Sequence, residues 1–510
     1  VSEQLSAVSN TVVPKRKKSF KETLHQLFMV QKLYSPMGIT LLVGCAIIMA
    51  YGVSEGGITF GGIVVAVAVA VPLIYCVVAY PKFGTVFLLV MAYFLFQLGR
   101  IGVPGPLGTV MDALQLLLLI SLVVKQKREN NWAILKGPVS IMILLWVGYN
   151  LIEVANPAAA SRLAWVYTVR SVAIVQFSYF IFLYNVRTIE FVRFLYKLWL
   201  GLAFIGALWA FKQEYIGFSD SEMAYLNTPD LIALLFINGH WRKYSIFSDP
   251  VAFSYNMAMP CILCVCIIFG KFQTWKKGFA GFMIVFCFVA MLYSGTRGAN
   301  VLIPAGLFMF AILNYNKKVL IFSCIATFFF IVLINFPTGN QTIVRFQSAF
   351  RPNNDDSYNV RKKNQKRIQP YILSHPMGGG LGSVGEWGKK FAPGSFLGDF
   401  APDSGYIRVA VEDGYLGLIL FCTMMFVMMK TGINNFYSIK DPELKSYCLA
   451  AALVVFTYNV ANFPQEALVQ FPSNILFYLF CALMTITKRL DDEMQLKKLN
   501  ESNIVPAINV

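Results

Sequence analysis

Apolar residues in this chain do not recur at helical or strand period; they come in continuous blocks separated by short polar connections. A helix needs roughly 20 such residues to cross the hydrocarbon core of a bilayer. Each crossing must satisfy its own backbone hydrogen bonds, because lipid offers no partner. A closed strand barrel would instead give short alternating segments, and none is visible. By the length criterion the blocks predict about fourteen transmembrane helices. The first seven fall at 38–51, 59–80, 86–98, 110–124, 138–152, 165–184 and 194–211. The other seven fall at 251–269, 279–293, 301–313, 319–336, 415–429, 447–458 and 471–486. The fold class is therefore all-α, a polytopic helical membrane protein.

The connections sort by charge. With the amino terminus inside, Lys82, Lys125, Lys136, Arg187, Lys276, Lys317, Lys440 and Lys488 all fall in inner connections. The short outer ones hold little beyond Arg100, Arg162 and Arg297. That alternation is the positive-inside pattern of a bacterial cytoplasmic membrane protein with both termini cytoplasmic. It divides the chain into a basic arm (1–35), helices 1–11 (36–336), a large outer loop (337–404), helices 12–14 (405–487) and a tail (488–510). No cleavable signal peptide is evident. In the arm, Phe20, Leu24, Leu27 and Phe28 share a helical face near Lys15–Lys18, so it either lies on anionic lipid or is a solvated tail.

Composition changes this picture little. The chain has 57% hydrophobic and only 14% charged residues, far from the balance of a soluble domain. Its net charge of +17 is dispersed over inner connections and does not suggest nucleic acid as a partner. All ten cysteines lie within apolar blocks. Cys261, Cys264 and Cys266 have no neighbouring His or carboxylate in sequence, so they read as small apolar filler and no metal site is expected.

Candidate chemistry concentrates at the outer face. Two outer connections are long, 212–250 and 337–404; the second holds nine Lys or Arg against five Asp or Glu. Loops of this length in a compact protein are usually functional. The turn Ser294-Gly295-Thr296-Arg297-Gly298 sets an arginine between glycines. It reads either as a phosphate contact or as a side chain snorkelling to headgroups. Arg170 lies inside an apolar block, which marks it as functional by default or as a structural ion pair, with Asp112 the available partner. Asp355-Asp356-Ser357 looks like a helix start, followed by a basic amphipathic helix with Arg361, Lys362, Lys363, Lys366 and Arg367. That helix either grips a diphosphate or rests on headgroups. It stops at His375-Pro376-Met377-Gly378-Gly379-Gly380-Leu381-Gly382-Ser383, a glycine run without the Lys-Ser/Thr ending of a nucleotide loop. His375 is either a base or a turn residue. The returning segment carries Asp403, either a base for an acceptor hydroxyl or a helix cap, and Arg408 and Glu412 at the spacing of a helical pair.

Taken together, Phe247-Ser248-Asp249-Pro250, Ser-Gly-Thr-Arg-Gly, His-Pro-Met-Gly-Gly-Gly-Leu-Gly-Ser and Glu412-Asp413-Gly414-Tyr415-Leu416-Gly417-Leu418 resemble the O-antigen ligase/polymerase family of bacterial envelope enzymes. The resemblance covers roughly residues 242–420. It implies a C-type glycosyltransferase architecture that moves a glycan from a polyprenyl diphosphate carrier to a glycan or lipid acceptor, among membrane lipids, with no cofactor and no metal. It implies that Arg297 and Arg361 grip the diphosphate, assisted by Arg170 or Arg351; Asp403 and His375 stay the candidate catalytic residues read from the segments themselves. Where ligases of the family carry a histidine, this chain has Asp403. Aspartate is ordinarily a weak base, with a pKa near 4 unless burial raises it. The departure shifts the expectation away from a lipid A-core ligase, toward a polysaccharide polymerase or another ligase-like member. The competing reading is a lipid-linked glycan flippase or other polysaccharide transporter, which would show repeated halves and polar groups at mid-membrane.

Overall fold

A computed structural model describes residues 35–504 apart from 104, 131, 228, 238 and 351–355. The basic arm, Arg351 and Asp355 therefore lie outside the described residues. The chain forms two units, 1–75 and 76–510. In the first, the helical stretch beginning at Pro36 is broken at Gly57, which takes φ +57 and ψ −148.

The protein is an all-α polytopic membrane protein. Among the described residues, eleven helices are long and apolar enough to cross a membrane. Each of the fourteen predicted blocks lies in a helix, but three miss that measure. Two are short, Ala68–Ala79 and Arg297–Leu313. The third begins the helix Ser473–Ile504, whose buried first half runs on into the charged segment from Lys488 to Glu493. Among the described residues the one strand pair is a small hairpin, Phe236–Ile237 with His240–Trp241, in the connection 212–250.

Burial separates core helices from lipid-facing ones. Pro250–Phe269 has 83% of its apolar window buried, whereas Lys317–Asn335 has 6%. The exposed Ile321, Ile325, Phe328, Phe329 and Val332 of the latter would be costly in water and are at ease only against lipid. Pro250–Phe269 is thus the central post of the second unit, packed on Thr274–Tyr293, Pro442–Ala461 and Leu302–Leu313.

The connections separate in space as their charges sort in sequence. At one end, Arg100 donates to Ser245 O at 3.1 Å, Asn156 to Met377 O at 2.9 Å, and Gly405 N to Asn462 O at 3.0 Å. At the other, Arg187 meets Glu129 at 2.8 Å, Arg193 forms a two-pronged pair with Glu443 at 2.7 Å, and Arg489 donates to Val186 O at 2.6 Å. Every one of these contacts joins connections assigned to the same side by charge.

The loop 337–404 is a folded roof over the first of these ends. Helix Asp356–Ser374 stops where its glycine-rich exit predicts. Ile368 packs with Val384, Leu397, Phe400 and Val411 in a small separate core. The glycine run then lies edge-on against the returning segment: Gly379 N donates to Val411 O at 2.8 Å and Gly380 N to Glu412 O at 2.9 Å. Gly414 has φ +69, and a Cβ there would collide with Pro376 O. Strain of this kind costs about 1–3 kcal/mol per residue before the collision is counted. Gly414→Ala is therefore expected to lower the thermal midpoint by several degrees and to expose the roof to limited proteolysis. An unchanged digestion pattern would show that the glycine run does not hold the roof down.

Candidate functional site

The site begins with the turn after helix Thr274–Tyr293. Ser294 Oγ donates to Met291 O at 2.7 Å and accepts from Thr296 N at 3.1 Å, closing the helix and reversing the chain. Gly295 takes φ +57, and a Cβ there would meet the Arg345 side chain 2.8 Å away. Thr296 Oγ1 donates to Pro250 O at 3.1 Å, pinning the turn to the central post. The next residue, Arg297, opens the short helix Arg297–Asn300.

Two further arginines fasten onto this turn. Arg242, arriving from the hairpin, donates to Ser294 O at 2.9 Å and to Thr296 Oγ1 at 3.0 Å. Arg345, on the amphipathic helix Gln341–Ser348, donates to Gly295 O at 2.6 Å. That helix is anchored by Phe346, which is buried against Phe288 and Phe330. Guanidiniums so close repel one another. Burial foremost, then the charges of Arg345 and Arg297, push Arg242 down to about 10, with Asp249 pulling the other way. It remains charged at neutral pH, and an arriving anion would relieve the repulsion.

All of this borders one cavity of about 1240 Å³, between the roof and the central post. Arg242, Arg297, Arg345 and Arg361 line it, and Val360 brings Arg361 in from the roof helix. Its carboxylates are Asp249, Asp403, Glu214 and Glu466. Asp249 caps the central post, accepting from Val251 N at 2.7 Å and Ala252 N at 3.0 Å. Glu214 pairs with Lys243 at 3.1 Å, and Glu466 with Arg408 at 2.6 Å. Asp403 alone of the four is engaged by no hydrogen bond or ion pair among the described residues. The N-cap of helix Gly405–Glu412 is Ser404, so Asp403 is not the cap. Beside the cavity and sharing Gly298 and Pro464 with it lies an apolar recess of about 550 Å³, lined by Val301, Leu302, Tyr406, Val460 and Phe463.

Behind Glu466 runs a buried ionic chain. Arg408 also holds Glu412 at 3.2 Å, the helical pair expected from the spacing. Burial works against the Arg408 charge, but Glu412 and Glu466 outweigh it and raise the group further. Burial pushes Glu412 up, with Arg408 pulling it back, and pushes Asp413 well above the carboxylate range with help from Glu412.

Residues 282–422 match the family model for O-antigen ligase (Wzy_C). This segment is similar to the O-antigen ligase family. No curated protein matches the chain. The O-antigen ligase match marks a membrane enzyme of ligase or polymerase type, from a family that acts on lipid-linked glycans and their acceptors. The matched segment contains Arg297, Arg345, Arg361, His375 and Asp403; Arg170 and Arg242 precede it.

Of the residues singled out from sequence, Arg297, Arg361 and Asp403 come together in the cavity. Arg170 does not line it; it pairs with Asp112 at 2.9 Å, the structural alternative considered above. His375 does not line it either. Its ring stacks on Tyr371 with centroids 4.0 Å apart, and Nδ1 lies 3.0 Å from Tyr371 O, the arrangement of a turn residue. Arg242 and Arg345 were not legible beforehand. Each is an ordinary basic residue of a long connection, and only their hydrogen bonds to the arginine turn give them away.

Proposed function

We propose that this protein transfers or polymerises glycan from a polyprenyl diphosphate carrier onto a glycan or lipid acceptor, at the outer face of a bacterial cytoplasmic membrane. The observation that carries the reading is the convergence of four arginines and Asp403 on one cavity. Arg297 and Arg361 hold the diphosphate, and Arg242 and Arg345 buttress the turn while adding positive charge. The adjoining apolar recess suits the first isoprene units of a carrier. In the reaction the bond from the sugar anomeric carbon to the diphosphate oxygen breaks, and its electron pair stays on the diphosphate. The acceptor oxygen forms the new bond to carbon and passes its proton to Asp403. Because charge develops on the leaving group, fixed guanidiniums that bind it more tightly as it departs lower the barrier. The donor is already activated, so the reading asks for no nucleotide and no metal. Arg170 and His375 have no part in it.

The orientation follows from the charge pattern. The charge pattern supports a cytoplasmic location for the connections that hold Arg187, Arg193 and Lys488–Arg489, and for both termini.

The test is transfer by the purified protein in detergent or nanodiscs. Supplied with a polyprenyl-diphosphate-linked glycan and an acceptor, without ATP or an ion gradient, it is expected to release polyprenyl diphosphate and give a longer or newly attached glycan. Movement of intact carrier between leaflets without bond cleavage would replace the reading with transport.

A further inference from the structure

Tyr255 is a buried polar group in the cavity wall that the charges described so far leave unused. It stands on the central post Pro250–Phe269, on the face that also presents Pro250, Val251 and Ala252 to the cavity. Its side chain is 1% exposed, and its hydroxyl has no hydrogen-bond partner among the described residues. Buried tyrosine hydroxyls are ordinarily paired, since leaving one unmatched forfeits the hydrogen bond it makes with water when unfolded.

The surroundings point the hydroxyl at the arginine turn. A Cβ on Gly298 would stand 3.2 Å from Tyr255 Oη, so the absence of a side chain next to Arg297 is what gives the phenol its clearance. The charges of Arg361 and Asp249 both act on it. Nothing on the described protein accepts its proton, and Gly298, which its hydroxyl lies against, adjoins the cavity residue Arg297.

We infer that Tyr255 is a further substrate-binding residue, donating a hydrogen bond from Oη to an oxygen of the departing diphosphate. This rests on the glycosyl-transfer reading for the identity of the substrate, while the anion contact itself can be measured apart from it. The phenol complements the arginines. They supply charge at a distance that tolerates several poses, whereas a neutral hydroxyl on a rigid, fully packed ring is satisfied only when a diphosphate oxygen sits at one place. Tyr255 therefore fixes the register of the diphosphate relative to Arg297, and with it the position of the anomeric carbon relative to Asp403.

The test is Tyr255→Phe, which removes one oxygen and no packing volume. Binding of inorganic diphosphate to the purified full chain is measured by titration calorimetry, transfer with the lipid-linked glycan, and folding by the thermal midpoint. Diphosphate binding and transfer are each expected to fall about 10-fold to 100-fold, the effect of one hydrogen bond to a charged acceptor. The midpoint should stay level or rise, because an unpaired buried hydroxyl has gone. Equal diphosphate affinity in wild type and variant overturns the inference, as does a wild type that binds no diphosphate. If diphosphate binding weakens in the variant but wild type transfers no glycan, the anion contact stands and the glycosyl-transfer reading falls. If wild type transfers glycan and the variant matches it in both binding and rate, the reading stands and the role of Tyr255 falls.

Discussion

Arg297→Ala is expected to lower the rate of glycan transfer by about 10²–10³-fold, the cost of removing one preorganised charge from a developing oxyanion. The protein should still insert and fold, because neighbours of Arg297 also hold the turn. Ser294 closes the preceding helix, Thr296 ties the turn to Pro250, and Arg242 and Arg345 grip its carbonyls. The variant thus keeps its cavity and loses one charge from it. Arg297→Lys is the matching control. A point charge restores attraction but not the planar fork that engages two oxygens together, so partial recovery is expected. Measured in the purified system, with protein amount and midpoint matched to wild type, an unaltered rate for Arg297→Ala would take this residue out of the mechanism.

The second large effect is expected at Asp403. Asp403→Asn keeps the shape and removes the proton acceptor, and general-base catalysis contributes about 10²–10⁴-fold. The other cavity carboxylates are committed elsewhere, Asp249 to the helix end, Glu214 to Lys243 and Glu466 to Arg408. None is placed to take over without dismantling the structure around it. Binding of inorganic diphosphate should be retained or strengthened, since a negative charge has left a site that holds anions. A slow variant with intact diphosphate affinity identifies a residue acting on the acceptor; a slow variant that has lost diphosphate affinity identifies damage to the donor site. A normal rate leaves the acceptor to be deprotonated by some other group.

Both predictions concern a site that the sequence displayed in part. Arg297 and Arg361 are visible because each breaks a local rule, one as a charge in a glycine-flanked turn between apolar blocks, the other in a basic helix within a long polar connection. Arg408 and Glu412 are visible as a pair because helical spacing alone brings such residues face to face. His375 is equally conspicuous in the sequence, yet its ring is spent stacking on Tyr371. Arg170 is conspicuous too, and its partner is Asp112, fifty-eight positions away in the chain. In each case sequence identifies an unusual residue, and only its neighbours say whether it is strained, paired or aimed at a ligand.

By itself the sequence determined that this is a bundle of membrane helices, and it sorted the connections into two classes by charge. Block length and charge placement are one-dimensional properties that the bilayer reads directly, since each helix closes its hydrogen bonds without help from the rest of the chain. The tertiary structure alone decided which charges share a space. Arg242, Arg345 and Tyr255 reach the cavity from a hairpin, an amphipathic turn of the roof and the central post. Their convergence depends on packing between segments far apart in sequence, and no local spacing encodes it.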